Sequence, residues 1–456
     1  MRLDCGIDIG TTNLKVVLID EEGRAVFMRS VPTPRRSDGV GTVTDADTLT
    51  SVLEDMIIEG WRRHGRGVAL RSITTAGIGE DGIGVGADLA PTGLAIPWFD
   101  TRANSEVLAL QALGVDPRRT GIVIAADRTV AKWAWLRRHR PSELDGAAHW
   151  IALTDYPAVR WSGIPFMSLS LAPRTACFDI SNGRWEEALL ERVGAPTLPP
   201  VLPAGTAIGG VRSGALIEAG AASPATIIAV GGHDHPVAAS LFMRHDPLAR
   251  VDSLGTANLL YGERPGGDGR MAPEGIALSL PPAGGGRQAC LGVIALAAAL
   301  ADESRDEALF RSFLAKTPLP GEPPADMAAL IAGDDTAPPA RRSLETMAIE
   351  ASMMLDGMTA MGVRPGDIYT SGGWTRSHGF VALRASVFGC PIHAVADLET
   401  TAIGAAVFGA MAAGASVNPL RARDITTIEP VPDWAERYQA LRATHSETRR
   451  RPEGHA

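Results

Sequence analysis

Short runs of β-branched and small apolar residues alternate along this chain with longer stretches of helical period, and glycine-rich turns separate them. Residues 3–9 read as a buried strand, Asn13 to Asp20 as a second, and Ala25 to Ser30 as a third after the turn at Glu22-Gly23. An amphipathic helix is predicted over 45–63 and a strand from Arg71 to Ala76. Helices follow near 129–139 and 185–193. The apolar run Thr226 to Val230 predicts another buried strand, which Gly231-Gly232 break, and Pro236 fits the first turn of a helix beyond it. Helices are predicted at 288–302 and 343–361, with a Pro-rich connection from Lys316 to Arg341 between them. Ile368-Tyr369-Thr370 is a strand, 378–388 a helix, Pro391 to Val395 a strand, and Thr400 to Gly414 a helix of small residues. Strands alternating with helices define an α/β chain.

The chemistry falls at the strand ends. Asp8-Ile9-Gly10-Thr11-Thr12-Asn13 is a hairpin tip whose N–H groups and hydroxyls form an anion-binding concavity, suited to phosphate. Asp8 could hold Mg²⁺ through water, since that ion keeps several waters and few carboxylates; an ordinary hairpin turn is the alternative. Near residue 250 the pattern recurs: Gly255-Thr256-Ala257-Asn258-Leu259 matches Gly10-Thr11-Thr12-Asn13-Leu14 at an offset of 245. Two such halves would set two phosphate-gripping turns across a cleft. Asp234, in Gly231-Gly232-His233-Asp234-His235-Pro236, sits on a strand-to-helix turn, where open α/β sheets carry their chemistry. It could serve as general base, metal ligand or helix cap, and His233-x-His235 alone is a weak metal signal.

Glu80 and Asp81 in the glycine-rich loop 77–82, with Trp98, Asp100 and Arg102, suit a polyhydroxylated ligand: carboxylates accept from hydroxyls and an indole covers a C–H face. A salt-bridged turn between Asp100 and Arg102 is the alternative. Asp155-Tyr156 is a further pocket candidate. Gly372-Gly373 at a strand end and the small residues around Gly404 leave room for a flat ring such as adenine, or for a tight turn beside a close helix contact.

At 456 residues two or three domains are expected. A hydrophobic content of 45% with 21% charged residues is ordinary for a globular protein, and a net charge of −9 argues against nucleic-acid binding. No segment is apolar and long enough for a membrane span. Four scattered cysteines with no C-x-x-C pair suggest neither a disulfide framework nor a zinc site. With Met1-Arg2-Leu3-Asp4 running straight into a strand, a cytoplasmic placement is expected, and a homodimer stays open.

In order and spacing, Asp8-Ile9-Gly10-Thr11-Thr12, Gly232-His233-Asp234, Leu254-Gly255-Thr256 and Gly372-Gly373 through Gly404 resemble the FGGY carbohydrate kinases. The resemblance spans roughly residues 3–415. It implies two RNase H-like (actin-like ATPase) domains with a cleft between them, 1–247 and 248–430, and a tail at 431–456. It further implies that Asp8 and Asp234 bind Mg²⁺ and that Asp234 is the base for the attacking hydroxyl. Gly10, Thr11, Thr12, Gly255 and Thr256 would meet the phosphates of ATP, with Asn13 beside them as a further candidate, and Gly372, Gly373 and Gly404 the adenosine, where the Trp374 indole could cover the adenine or narrow the pocket. Glu80, Asp81, Trp98, Asp100 and Arg102 fall where the family builds its sugar site. Two positions depart: Ala257 lacks the usual hydroxyl, and Trp374 stands where a third glycine is common. Glu80-Asp81 is similar to some deoxyketose kinases rather than to the Met-His of typical xylulose kinases. The implied acceptor is a pentulose such as xylulose, a deoxyketose such as fuculose, or a tetritol or tetrulose. The rival from another class is a nucleotide-gated actin-like ATPase or binding protein that phosphorylates no sugar.

Overall fold

A hairpin opens the chain: β1 (Asp4–Ile9) pairs antiparallel with β2 (Asn13–Ile19), and β2 with β3 (Ala25–Pro32). The computed structural model describes residues 2–294 and 339–442, apart from residues 256, 268, 396, 397, 437, 440 and 441. The helix α1 (Ala46–His64) follows; the Asp45 side chain caps it by accepting from Thr48 N at 3.0 Å. The chain re-enters the sheet at β4 (Ser72–Gly77), parallel to β1. Residues 82–206 then add the helix α2 (Thr129–His139) and a second core built on Trp133, Trp135, Trp150 and Phe178, while Ile83, Ile151, Tyr156 and Trp161 of the same span pack into the core of the first sheet. The sheet is completed by β5 (Ala207–Gly210) and by β6 (Ile227–His233), which runs parallel to β4 and leads into α3 (Asp234–His245).

The second sheet repeats this plan. It comprises β7 (Arg250–Leu254), β8 (Asn258–Pro265), β9 (Ile276–Ser279), β10 (Arg287–Ile294), β11 (Ile368–Ser371), β12 (Ile392–Val395) and β13 (Thr426–Ile428). The first sheet has the order β3-β2-β1-β4-β6-β5, and the second β10-β8-β7-β11-β12-β13 with β9 added outside β10. Both run antiparallel, antiparallel, parallel, parallel, antiparallel across those six strands. The described helices of this half include α4 (Pro339–Ala360), α5 (His378–Phe388) and α6 (Thr400–Ala412).

Strand periodicity decides which side chains face the other half. Ile7, Ile9, Leu14, Val16 and Leu18 point toward α1 and pack on Leu49, Leu53 and Ile57. Val17 and Ile19 point the other way and pack on Ala402, Ala406 and Val407 of α6. Asp8 and Lys15 share that second face, opposite each other in the ladder. The small residues of α6 let it lie directly on the first sheet: a Cβ at Gly6 would stand 1.8 Å from the Ala402 carbonyl oxygen. The second half is held by Leu254, Leu260, Met347, Leu355, Phe380 and Leu383, and by a buried fork in which Arg384 donates to Asp252 at 2.7 and 2.8 Å and to Asn258 at 3.0 Å.

Two expected elements are corrected. Residues 287–294 are a strand rather than the start of a helix, because β8 offers an eight-residue ladder from Asn258↔Ile294 to Pro265↔Arg287 that outweighs local preference; residues 295–302 lie outside the described residues, as does most of the connection from Lys316 to Arg341. Gly231 and Gly232 do not end their strand. They continue it to His233 through a register shift, since a Cβ on Gly231 would lie 2.1 Å from the Thr75 carbonyl oxygen and Gly232 adopts φ +142°.

Candidate active site

Three parallel strands end side by side. Ile9 aligns with Gly77, and Gly77 with His233, so the Gly-Thr hairpin, the loop 77–82 and Asp234 leave the first sheet at one edge. That is the carboxyl edge, where α/β sheets bind ligands. The hairpin is closed by Gly10 N donating to Asn13 O at 3.0 Å and braced by Thr33 Oγ1 donating to Gly10 O at 2.8 Å. Thr12 at its tip is exposed, and Thr11 and Asn13 are half-buried.

Asp234 is the first residue of α3, and its Oδ1 accepts from the His235 amide at 2.7 Å. Burial pushes its carboxyl up to about 7; that amide bond, Arg174 and Lys15 pull down, and Glu80 pushes up. Asp8 is likewise raised to about 7, first by burial and then by the charges of Asp234 and Glu399, against the pull of Lys15. Lys15 Nζ lies 3.6 Å from Asp8 and donates to Glu399 at 2.7 Å, just ahead of α6. A buried and a half-buried carboxylate, the first raised in part by the charge of the second, with one lysine to offset them, form a hard-oxygen donor set that fits Mg²⁺. His233 and His235 are both shifted downward by burial, His235 to about 4.

On the other side, Glu80 Oε1 accepts from Arg128 Nη1 and Arg174 Nε, both at 2.8 Å, and from Arg174 Nη2. Burial alone would raise Glu80, but Arg174 and Arg128 outweigh it and hold the carboxyl well below the usual range. Asp81 faces Lys132 Nζ at 3.5 Å and is raised, chiefly by burial. The loop lies against the neighbour of Asp234: a Cβ at Gly79 would stand 3.0 Å from the His233 ring. Trp98 Nε1 donates to Thr11 Oγ1 at 2.8 Å, which joins the indole to the Gly-Thr turn. Asp100 and Arg102 bond to each other at 2.8 Å and, through Arg102, to Asp38 at 2.7 Å, so their charges are satisfied within that loop. The polar groups of Asp155 and Tyr156 are also engaged, with Ser168 at 2.5 Å and Asp47 at 2.6 Å.

In the second half, Ser253 aligns with Ser371, so Gly255 and Gly372 leave that sheet together. Gly372 adopts φ +104°, and a Cβ there would lie 2.3 Å from the Leu254 carbonyl oxygen. Gly373 and Trp374 begin a 3₁₀ turn, with the indole edge-on to Phe380 at 5.8 Å. Gly404 is buried between α6 and α3, where a Cβ would meet the Val237 carbonyl oxygen at 2.6 Å. Thr256 lies outside the described residues. His235 and Ala238 of α3 line a pocket with Ser253, Leu259 and Ser371, which brings the helix that begins at Asp234 to the second sheet.

Several residues of this constellation escape sequence reasoning. Lys15 was within reach, because the Gly-Thr turn fixes the register that puts it opposite Asp8. Arg128, Lys132, Arg174 and Glu399 come from distant segments, and no local pattern marks them.

Paired sheets of one topology, each with a glycine turn at its carboxyl edge, define the two-domain actin-like ATPase fold. Solved structures agree: the xylulose kinase from Lactobacillus acidophilus superposes with a TM-score of 0.81 at 18% identity, covering 98% of both chains. The Plasmodium falciparum glycerol kinase with ADP gives 0.81 at 16%, over 98% of both chains. Residues 3–241 match the N-terminal domain of the FGGY family of carbohydrate kinases and residues 317–413 its C-terminal domain. The chain belongs to the FGGY family of carbohydrate kinases. It is 28% identical over 267 residues to the xylulose kinase of Streptomyces rubiginosus, an alignment covering 56% of this chain and 53% of that protein. It thus spans about half the length of the xylulose kinases it matches, whereas the glycerol kinase of Trichlorobacter lovleyi, 24% identical, aligns over 91% of this chain and 90% of its own.

Proposed function

We propose that this protein transfers the γ-phosphoryl group of ATP to a hydroxyl of a ketose or sugar alcohol. The observation that carries this reading is the alignment of Ile9, Gly77 and His233 across three adjacent strands. It gathers a phosphate-type turn, a polar loop and the half-buried Asp234 carboxylate at one edge. In this reading the acceptor lies between Glu80 and Trp98, with Asp81 behind, while Asp100 and Arg102 shape the loop. Gly10, Thr11, Thr12 and Asn13 meet the phosphates from one side and Gly255 and Thr256 from the other. Gly372, Gly373 and Trp374 border the adenosine, and Gly404 sets the helix spacing behind it. The units are 1–247 and 248–430, with 431–456 a tail.

The acceptor oxygen attacks the γ-phosphorus, its proton passes to the Asp234 carboxylate, and the bond to the leaving ADP breaks. General-base assistance of this kind contributes about 10²–10⁴-fold. Asp8 and Asp234 would hold Mg²⁺, which supplies charge neutralisation at the phosphates. Positioning by both turns supplies most of the remainder. Free thiols at all four cysteines fit a cytoplasmic placement. Among the described residues no helix is long and apolar enough to cross a membrane.

The test is an ADP-coupled assay of the purified chain against tetritols, pentuloses, hexuloses and deoxyketoses. Sugar phosphate formed one-for-one with ADP is expected for at least one acceptor. Hydrolysis of ATP at a rate no acceptor changes would favour a nucleotide-gated ATPase instead.

A further inference from the structure

His233, Asp234 and His235 present three donor atoms on the first turn of α3. His233 Nε2 and His235 Nε2 stand 3.3 and 3.4 Å from the same oxygen, Asp234 Oδ1. Charge-assisted N–H···O⁻ bonds close to about 2.7–2.9 Å, so both contacts are too long to be good ones. They match a different spacing. Two ligands bound at about 2.0–2.1 Å to a tetrahedral ion lie about 3.3–3.4 Å apart. All three donor atoms fall within 4.8 Å of one another, and the rings meet at 73° with centroids 5.3 Å apart. His233 is fixed, at 6% exposure, with its backbone N–H bonded to Ser170 Oγ at 2.9 Å. His235 is half-exposed, so its ring is free to close the remaining distance.

We propose that His233, Asp234 and His235 form a binding site for a divalent ion of the Zn²⁺ class, and that its occupation competes with use of Asp234 as base. Two imidazoles and one carboxylate select Zn²⁺, Co²⁺ or Ni²⁺ over Mg²⁺, which takes oxygen ligands and keeps its waters. Three protein ligands leave a fourth position to water. The bound ion would occupy the Asp234 carboxylate that the acceptor's proton requires, so the site, which shares Asp234 with the Asp8–Asp234 pair, acts as a brake.

The test uses the full chain, stripped of metal and without ATP or sugar. Co²⁺ titration followed by visible absorption, with Zn²⁺ uptake by equilibrium dialysis, should give one ion per chain and the intense bands of a four- or five-coordinate site. His235→Ala should weaken binding by more than the about 10–100-fold that losing an outer-shell partner costs. His235→Asn, which keeps size and polarity, should lose it equally, and thermal melts confirm that each variant is folded. Equal uptake by wild type and both variants, or no uptake by wild type, overturns the proposal. Because binding is read without turnover, the outcome stands apart from whether the chain phosphorylates a sugar. In a chain that does, Zn²⁺ should inhibit wild type at lower concentration than His235→Ala.

Discussion

Asp8 carries a carboxylate whose burial opposes its charge. Its carboxyl is raised from 3.8 to about 7, chiefly by burial. Between about pH 4 and pH 7 the folded chain therefore keeps a proton that the unfolded chain has released. Stability falls as pH rises through that window, by an amount on the order of 1–4 kcal/mol. Asp8→Asn removes this cost. Melted without Mg²⁺ or nucleotide, the variant should exceed wild type in Tm at pH 8, with the gap narrowing at pH 5. A variant that is less stable at both values would show that Asp8 has a structural role instead. At this scale the sequence was informative where one residue type sat at a strand end: Asp8 and Asp234 were legible because glycines mark the turns beside them. Trp98 was legible as part of a polar cluster, but its bond to Thr11 was not. Asp100 and Arg102 had two readings, and the structure ties them to Asp38, a partner 64 residues from Arg102 whose proximity only the fold creates.

Elements were legible wherever periodicity met a strong boundary. The helix read at 378–388 is observed as His378–Phe388, capped by Ser377 and ended by Gly389 at φ +70°. The strand at 287–294 was not legible, since its ladder depends on β8. Nor does any local signal reveal that α6, far along the chain, packs on the first sheet. That contact makes a sharp prediction. Gly6→Ala would push a methyl to 1.8 Å from the Ala402 carbonyl oxygen and 2.6 Å from the Ala406 nitrogen, both backbone atoms. Overpacking of this kind costs about 1–3 kcal/mol or more. Gly214→Ala, whose nearest neighbour would be 3.9 Å away, serves as the control and should leave stability unchanged or slightly raised. Equal denaturation midpoints for wild type and Gly6→Ala would contradict the packing.

At the scale of the whole molecule, a duplicated sheet explains why a five-residue repeat at an offset of 245 was readable at all. Each copy sits on the hairpin between the first two strands of its own sheet, Ile9↔Leu14 in one and Leu254↔Asn258 in the other. The link between the halves was not readable: Lys15 reaches Glu399 at 2.7 Å across 384 residues of chain. The helix α3, which begins at the proposed base, lines a pocket with Ser253 and Ser371 of the second sheet. The most direct measurement is therefore single-turnover phosphotransfer by Asp234→Ala beside wild type, with ATP affinity determined separately by titration. The account predicts a rate reduced by about 10²–10⁴-fold with ATP binding kept within a few-fold, and a wild-type profile that rises with pH through about 7 as Asp234 loses its proton. Turnover by Asp234→Ala at the wild-type rate would contradict it.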